Sequence, residues 1–250
     1  MFGAVPKTLW ERQAPPDELN RILMATRSLV IEGDQGKMLV DLGCGDKWTE
    51  KTRAIYALSD EPYQVVPGVT DALITHLHFD HTGGVSRYAA GKTEIEPCYP
   101  NARHFVSKVN HENACHPNIR ERASYMSENI GALKLVETTF TEGGQEIWPG
   151  IKVREANGHT RGLHWVTVSD EGVTVAFPTD LFPTSKHLPP PYIMGYDMCA
   201  ETSLRERTEF LERAASGNWI VVFEHDPEVP AATISLDDRG RAIIKEAVDF

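Results

Sequence analysis

The chain is poor in three things that would each point to a definite class of protein. Its four cysteines, Cys44, Cys98, Cys115 and Cys199, are scattered and form no CxxC pair, which argues against a disulfide framework or a thiolate zinc site and leaves each to be read as a small buried apolar residue, with Cys44 a partial exception in a turn expected to approach the site. No apolar run approaches the length that crosses a bilayer, and the opening stretch MFGAVPKTLWERQAPPDELN has no sustained hydrophobic segment. The expectation is therefore a cytoplasmic protein with no membrane partner. Clustered lysine and arginine are also missing. With 25 basic against 36 acidic residues the formal net charge is −11, so a phosphate-binding surface, and with it nucleic acid, is excluded. Internal repeats and low-complexity linkers are likewise absent.

What is present reads as a single globular domain over residues 1–250. Hydrophobic residues make up 41% of the chain, enough for a sizeable core. SLVIEGDQGKMLVDLG reads as two strands around a Gly-Asp-Gln-Gly turn, the second ending at Asp41. Helical spacing follows in KWTEKTRAIYAL, and DALIT is a strand. Further on, HFVS reads as a strand and RASYMSENIGALKL as helical. IKVREA, HWVTVS and VTVAFP then suggest an antiparallel sheet, and WIVVFEHD a buried strand. TSLRERTEFLERAAS is an amphipathic helix whose Leu204, Phe210 and Leu211 are expected to face inward, with Gly217 near its end.

DALIT delivers the chain to THLHFDHTGG, residues 75–84, where three histidines and an aspartate occupy six consecutive positions. In an extended segment His76 and His78 point the same way, with Asp80 and His81 in the turn beyond. Imidazole nitrogen and carboxylate oxygen are donors that zinc, manganese or iron accept, and closing a coordination shell takes ligands from other segments. His159 in NGHTRG, Asp180 in FPTD and His225 in FEHD each stand where a β-rich run stops, as functional groups on rigid scaffolds do. His104, His111, His116, His164 and His187 read as surface or packing residues.

These motifs resemble the metallo-β-lactamase-fold hydrolases, most closely the lactonase-like members. The HxHxDH motif corresponds to His76, His78, Asp80 and His81, the opening aspartate motif to Asp41, and the later ligands to His159, Asp180 and His225. The resemblance implies an α/β (α+β) fold, a four-layer αββα sandwich with metals at one edge. It also implies two divalent metal ions, Zn2+ in the first place with Mn2+ or Fe2+ as alternatives. His76, His78 and His159 would hold one ion and Asp80, His81 and His225 the other, with Asp180 bridging and Asp41 orienting the ligands from behind. Thr179 stands where this family usually has glycine before the bridging aspartate, and Leu163 where a second histidine is common.

The activity implied is hydrolysis of a small apolar ester, a lactone in the first place, by a metal-bridging hydroxide, with phosphotriester cleavage as a side activity. The alternative is an iron-dependent redox enzyme of the same fold, resembling the persulfide dioxygenases. Asp80 is a candidate proton shuttle. Residues 181–198, LFPTSKHLPPPYIMGYDM, read as a pocket wall stiffened by four prolines, with Leu188, Tyr192, Ile193 and Met194 for apolar contact and Tyr192 or Tyr196 to donate a hydrogen bond to substrate. The same loop could instead pack on the core or across a homodimer interface.

Overall fold

Alternation of short strand signals with helical ones produces two sheets, each with its own core. The computed structural model describes residues 1–91 and 93–249. Its contacts divide the chain into two compact units, one spanning residues 28–141 and the other residues 1–27 with 142–249.

In the first unit, β1 (Leu29–Gly33) and β2 (Gly36–Val40) form the expected hairpin, and β3 (Asp71–Ile74), β6 (Arg103–Ser107) and β7 (Glu137–Thr141) extend it to a five-stranded sheet ordered β1-β2-β3-β6-β7. Only the hairpin is antiparallel; β2, β3, β6 and β7 run parallel. Every residue of β3 is buried, as parallel strands covered on both faces require. Leu39, Ala72, Ile74, Val106 and Leu133 share this core. A small β4–β5 hairpin (Ser86–Tyr88, Ile95–Pro97) lies outside the main sheet. Between the strands run α2 (Glu50–Tyr56), α3 (Phe79–Thr82), α4 (Lys108–Cys115) and α5 (Ser127–Ala132), the first helix α1 (Lys7–Trp10) belonging to the other unit. The helical stretch expected over RASYMSENIGALKL is broken into 3-10 turns on either side of α5, with Gly131 inside it lowering helix propensity.

The second unit carries a seven-stranded sheet ordered β14-β13-β12-β11-β10-β9-β8. Its strands are β8 (Glu146–Trp148), β9 (Ile151–Ala156), β10 (Leu163–Asp170), β11 (Val173–Phe177), β12 (Ile220–Val222), β13 (Ala231–Leu236) and β14 (Ala242–Val248). All neighbours are antiparallel except β11 and β12, whose parallel pairing is connected by α6 (Ala200–Ser216). The topology places three strand ends together. β9 and β11 both run opposite to β10, and β12 runs with β11, so β9, β11 and β12 finish at the same sheet edge.

Two expectations need correction. On α6 the buried stripe is Ser203, Arg207, Phe210, Leu211 and Ala214, while Leu204 is 40% exposed; polar residues hold inward positions because they meet loops there. Of the four cysteines only Cys98 is buried, and Cys115 and Cys199 are exposed. Among the described residues, no helix is long and apolar enough to cross a membrane.

His164 is fully buried on β10, and burial alone pushes its pKa down to about 4 from the ordinary 6.5. The unfolded chain takes up this proton near pH 6.5 and the folded chain refuses it until about 4. Stability is therefore held above the higher value and lost as pH falls between the two, at about 1.4 kcal/mol per pH unit for this residue. Urea unfolding of His164→Gln against wild type should show a shallower loss from pH 6.5 to 4.5; identical pH profiles would contradict the buried neutral state.

Candidate metal centre

Each unit gathers its candidate ligands where strands end. In the first unit β2 and β3 are adjacent and parallel, so Asp41 and His76 emerge side by side. The Asp41 amide donates to Leu73 O at 2.9 Å. The Asp41 carboxylate accepts from the Thr75 amide at 2.8 Å and the Thr75 hydroxyl at 2.7 Å. His78 precedes the single-turn helix α3, which carries Asp80 and His81. The Leu77 amide between the two histidines donates to Asn110 Oδ1 at 2.8 Å. Behind the cluster the GCGD turn is so close that a side chain on Gly83 would sit 1.9 Å from the Cys44 carbonyl, which explains the TGG sequence.

In the second unit His159 lies three residues beyond β9, Asp180 three beyond β11 and His225 three beyond β12. Because Ala176 pairs with Val221, Asp180 and His225 stand at equivalent heights on neighbouring parallel strands. Asp180 Oδ2 is 3.0 Å from His159 Nε2 and Oδ1 is 3.1 Å from His225 Nε2.

Five imidazoles show one pattern: one ring nitrogen is committed to oxygen, and the other is turned toward a further candidate ligand. His81 Nδ1 donates to Asp41 Oδ2 at 2.9 Å, His159 Nδ1 to Asp197 Oδ1 at 2.9 Å, and His225 Nδ1 to the Ala25 carbonyl at 2.8 Å. His78 Nε2 donates to Glu121 Oε1 at 3.3 Å. The Thr75 hydroxyl spends its proton on Asp41, so its oxygen accepts from His76 Nδ1 at 3.2 Å. Carboxylates and carbonyls only accept, so these contacts fix the tautomers. The lone pairs then sit on Nε2 of His76, His81, His159 and His225 and on Nδ1 of His78.

Those lone-pair atoms approach one another as ligands of a shared ion do. His76 Nε2 is 3.1 Å from His78 Nδ1, and His81 Nε2 is 3.7 Å from Asp80 Oδ1. Two ligands on ion bonds of about 2.0–2.1 Å stand roughly 2.9–3.4 Å apart, a range that the His76–His78 pair meets and the His81–Asp80 pair slightly exceeds. A lone pair facing a carboxylate or a second lone pair is repulsive unless a cation or a proton lies between. For His159 burial opposes protonation, yet the Asp180 and Asp197 carboxylates outweigh it and push its pKa up to about 10. Burial likewise opposes ionisation of Asp180, but His159 and His225 hold it well below the ordinary carboxylate value. The donor set therefore fits divalent cations of the zinc, manganese or iron type.

The remaining sequence candidates fall as follows. Asp80 has a quarter-exposed side chain (25%). Tyr192 is half-buried, its ring edge-on to Phe2 at 5.9 Å, and Tyr196 is 62% exposed. His104, His164 and His187 are buried and His116 is exposed. Thr179, in the glycine position before Asp180, adopts φ +49°, as Asp41 adopts φ +59°. That left-handed backbone is what glycine would take without cost.

Sequence reading missed the residues that hold the candidate ligands. Glu121, which also accepts from Tyr125 and Asn113, lies 43 residues from His78, and Asp197 lies 38 from His159. Glu206 on α6 accepts from the Asn157 and Gly158 amides at 2.8 and 3.0 Å, fixing the turn into His159. Only the buried carboxylates themselves, visible once the chain is folded, mark these positions.

Known proteins share this arrangement of sequence and fold. A family model described as the metallo-beta-lactamase superfamily matches residues 22–225. An N-acyl homoserine lactonase of Bacillus thuringiensis is 25% identical over 162 residues, covering 57% of this chain and 57% of the lactonase. The match thus spans little more than half the length of that curated relative. Among solved structures, a probable metal-dependent hydrolase from Staphylococcus aureus superposes with a TM-score of 0.86 at 27% identity, covering 100% of this chain and 92% of that one. A dizinc quorum-quenching lactonase in complex with the product N-hexanoyl-L-homoserine shares the fold with a TM-score of 0.68 at 22% identity, over 90% and 81% of the two chains.

Asp197→Asn keeps the shape of the side chain but removes the charge that orients His159. Metal affinity measured by competition with a chromophoric chelator should fall about 10- to 100-fold while the circular dichroism spectrum is retained. Unchanged affinity would show that Asp197 does not support the ligand.

Proposed function

The chain belongs to the metallo-beta-lactamase superfamily, and from that premise we propose that it is a metal-dependent hydrolase of the lactonase type, acting on a small, fairly apolar ester. The reading treats the two units as one hydrolase domain. It assigns His76, His78 and His159 to one divalent cation, Asp80, His81 and His225 to a second, and Asp180 to both. The observation that carries it is the set of five imidazoles, each with one nitrogen fixed on oxygen and the other left with its lone pair toward a neighbouring ligand. Histidines that merely fill a core have no reason to share that arrangement.

When bound, such cations supply Lewis acidity and lower the pKa of water toward neutrality. The chain's own residues do the rest. Asp41, Glu121 and Asp197 keep the imidazoles in the tautomer that accepts a cation. Asp80 accepts a proton and returns it to the leaving oxygen, a role supported by its being the most exposed carboxylate of the cluster. Tyr192 or Tyr196 donates to a substrate oxygen, and Ile193 with neighbouring loop residues offers apolar contact to the side chain of the ester.

The lactonase relatives support lactones bearing an acyl chain as the substrate class, and the Lewis acidity that serves a carbonyl also serves a phosphoryl group. No serine or cysteine nucleophile is required. The chemistry asked of the protein is to bind, orient and shuttle one proton.

The test joins elemental analysis of the purified protein with a panel of lactones, phosphotriesters, thioesters and β-lactams. About two zinc, manganese or iron ions per chain with lactone turnover is the expected result, and His78→Ala should lose metal and turnover together while remaining folded. Iron with sulfur-dependent oxygen consumption, or full activity in His78→Ala, would overturn the assignment.

A further inference from the structure

Residues 181–198 start just after Asp180 and return to His159. The Met198 amide donates to the His159 carbonyl at 3.1 Å and the Cys199 amide to the Gly158 carbonyl at 2.8 Å. Near its start, Ser185 and Lys186 are held by Asp226, the residue after His225. Both ends of the segment are thus tied to residues at or beside candidate ligands, so any shift in its middle is a shift of the wall next to them.

The middle, HLPPPYI, does little to fix itself: inside it the Tyr192 amide donates to the Pro189 carbonyl at 3.0 Å, and the His187 and Leu188 amides reach back only to Thr184 and Ser185. Three consecutive prolines contribute no N–H, so the carbonyls of this stretch have few partners within the loop. The partner comes from below. Arg207 projects from the inward face of α6, only 2% exposed. Its guanidinium donates to the carbonyls of His187, Pro189 (3.4 Å) and Tyr192 (2.9 Å). It also lies over the Phe182 ring at 4.7 Å.

Burying this cation is costly: burial pushes its pKa down to about 10, with the Asp197 carboxylate only partly compensating. A methionine or leucine would fill the same stripe of α6 without that cost. The carbonyl fork is the one thing an apolar side chain could not supply. The loop is also gripped on another side, where the Phe2 ring stacks on His187 with centroids 4.6 Å apart and 10° between planes.

We propose that Arg207 is a positioning residue: its guanidinium fixes the 187–192 backbone, and the rigidity so imposed sets which ester side chains the site accepts. The inference deepens the hydrolase reading and rests on it for its substrate arm. Among the described residues the Arg207 guanidinium donates to loop carbonyls and to none of the candidate ligands, so loosening the clamp alters selection more than the chemical step.

The experiment compares Arg207→Gln and Arg207→Lys with wild type in metal content, chymotrypsin cleavage after Tyr192, and kcat and KM on lactones with short and long acyl chains. In Arg207→Gln the metal content should be unchanged and cleavage faster. KM for the preferred lactone should rise about tenfold and discrimination between chain lengths narrow, with kcat held within about threefold. Arg207→Lys, which keeps the charge but not the fork, should fall between the two. Unchanged KM and cleavage in a folded variant would overturn the proposal. So would joint loss of metal and kcat, or failure of both variants to fold, either of which would make Arg207 a general structural support. If wild type turns over no ester, the hydrolase reading fails by itself, while the cleavage rates still decide whether Arg207 holds the loop.

Discussion

A buried imidazole has two nitrogens and, when neutral, one proton; which nitrogen carries it is decided by whatever oxygen lies nearest. The rest of this protein's chemistry depends on that choice being made five times in the same sense. Asp41, Glu121, Asp197, the Ala25 carbonyl and the Thr75 hydroxyl each accept a ring N–H and so turn the lone pair of the opposite nitrogen toward a further candidate ligand. The arrangement has a cost. Asp41, Glu121 and Asp197 are themselves buried, and a buried carboxylate without its partner is more destabilising than the pair is stabilising. The oxygens must therefore be held as firmly as the rings, which is why Glu121 also accepts from Tyr125 and Asn113 and Asp41 from two groups of Thr75.

Holding them uses backbone that the chain would not otherwise adopt. Asp41 and Thr179 both lie in the left-handed region, where a side chain with a Cβ costs about 1–2 kcal/mol. Aspartate tolerates this better than most residues, threonine less well. Thr179 is buried in the 3-10 turn that presents Asp180, so its strain is maintained by packing around it and goes into aiming the Asp180 carboxylate. The glycine common at that position in the family meets the same backbone demand without strain. The departure is a change in how the turn is stabilised, with the turn itself retained.

The candidate ligands were legible in the sequence because they obey short-range rules: His76 and His78 share a face by alternation, and His159, Asp180 and His225 follow strand runs whose ends are marked by turn residues. The strands themselves were legible for the same reason. The supporting oxygens obey no such rule. Glu121 and Asp197 reach their histidines across 43 and 38 residues through loops with no period, and before folding each looks like any other surface acid. The α6 face was misjudged at Leu204 because an amphipathic pattern assumes that the buried side of a helix meets apolar surface. Cys115 and Cys199 were misjudged because the habit of cysteine to be buried is statistical and says nothing of a given helix face or cap.

The correction at α6 is itself informative. Its inward stripe turns apolar only in its second half, at Phe210, Leu211 and Ala214; the first half presents Ser203 and Arg207, with Glu206 beside them half-buried. Those three residues serve loops. The Ser203 amide and hydroxyl lie so near Gly158 that a side chain there would stand 2.3 Å from the amide, Glu206 binds the two amides before His159, and Arg207 takes the carbonyls of the proline loop. One helix thus anchors the core through its C-terminal turns and positions two functional loops through its N-terminal ones. A rigid element is the natural place for such supports, because errors in a loop's position add up along its length while a helix transmits none of its own.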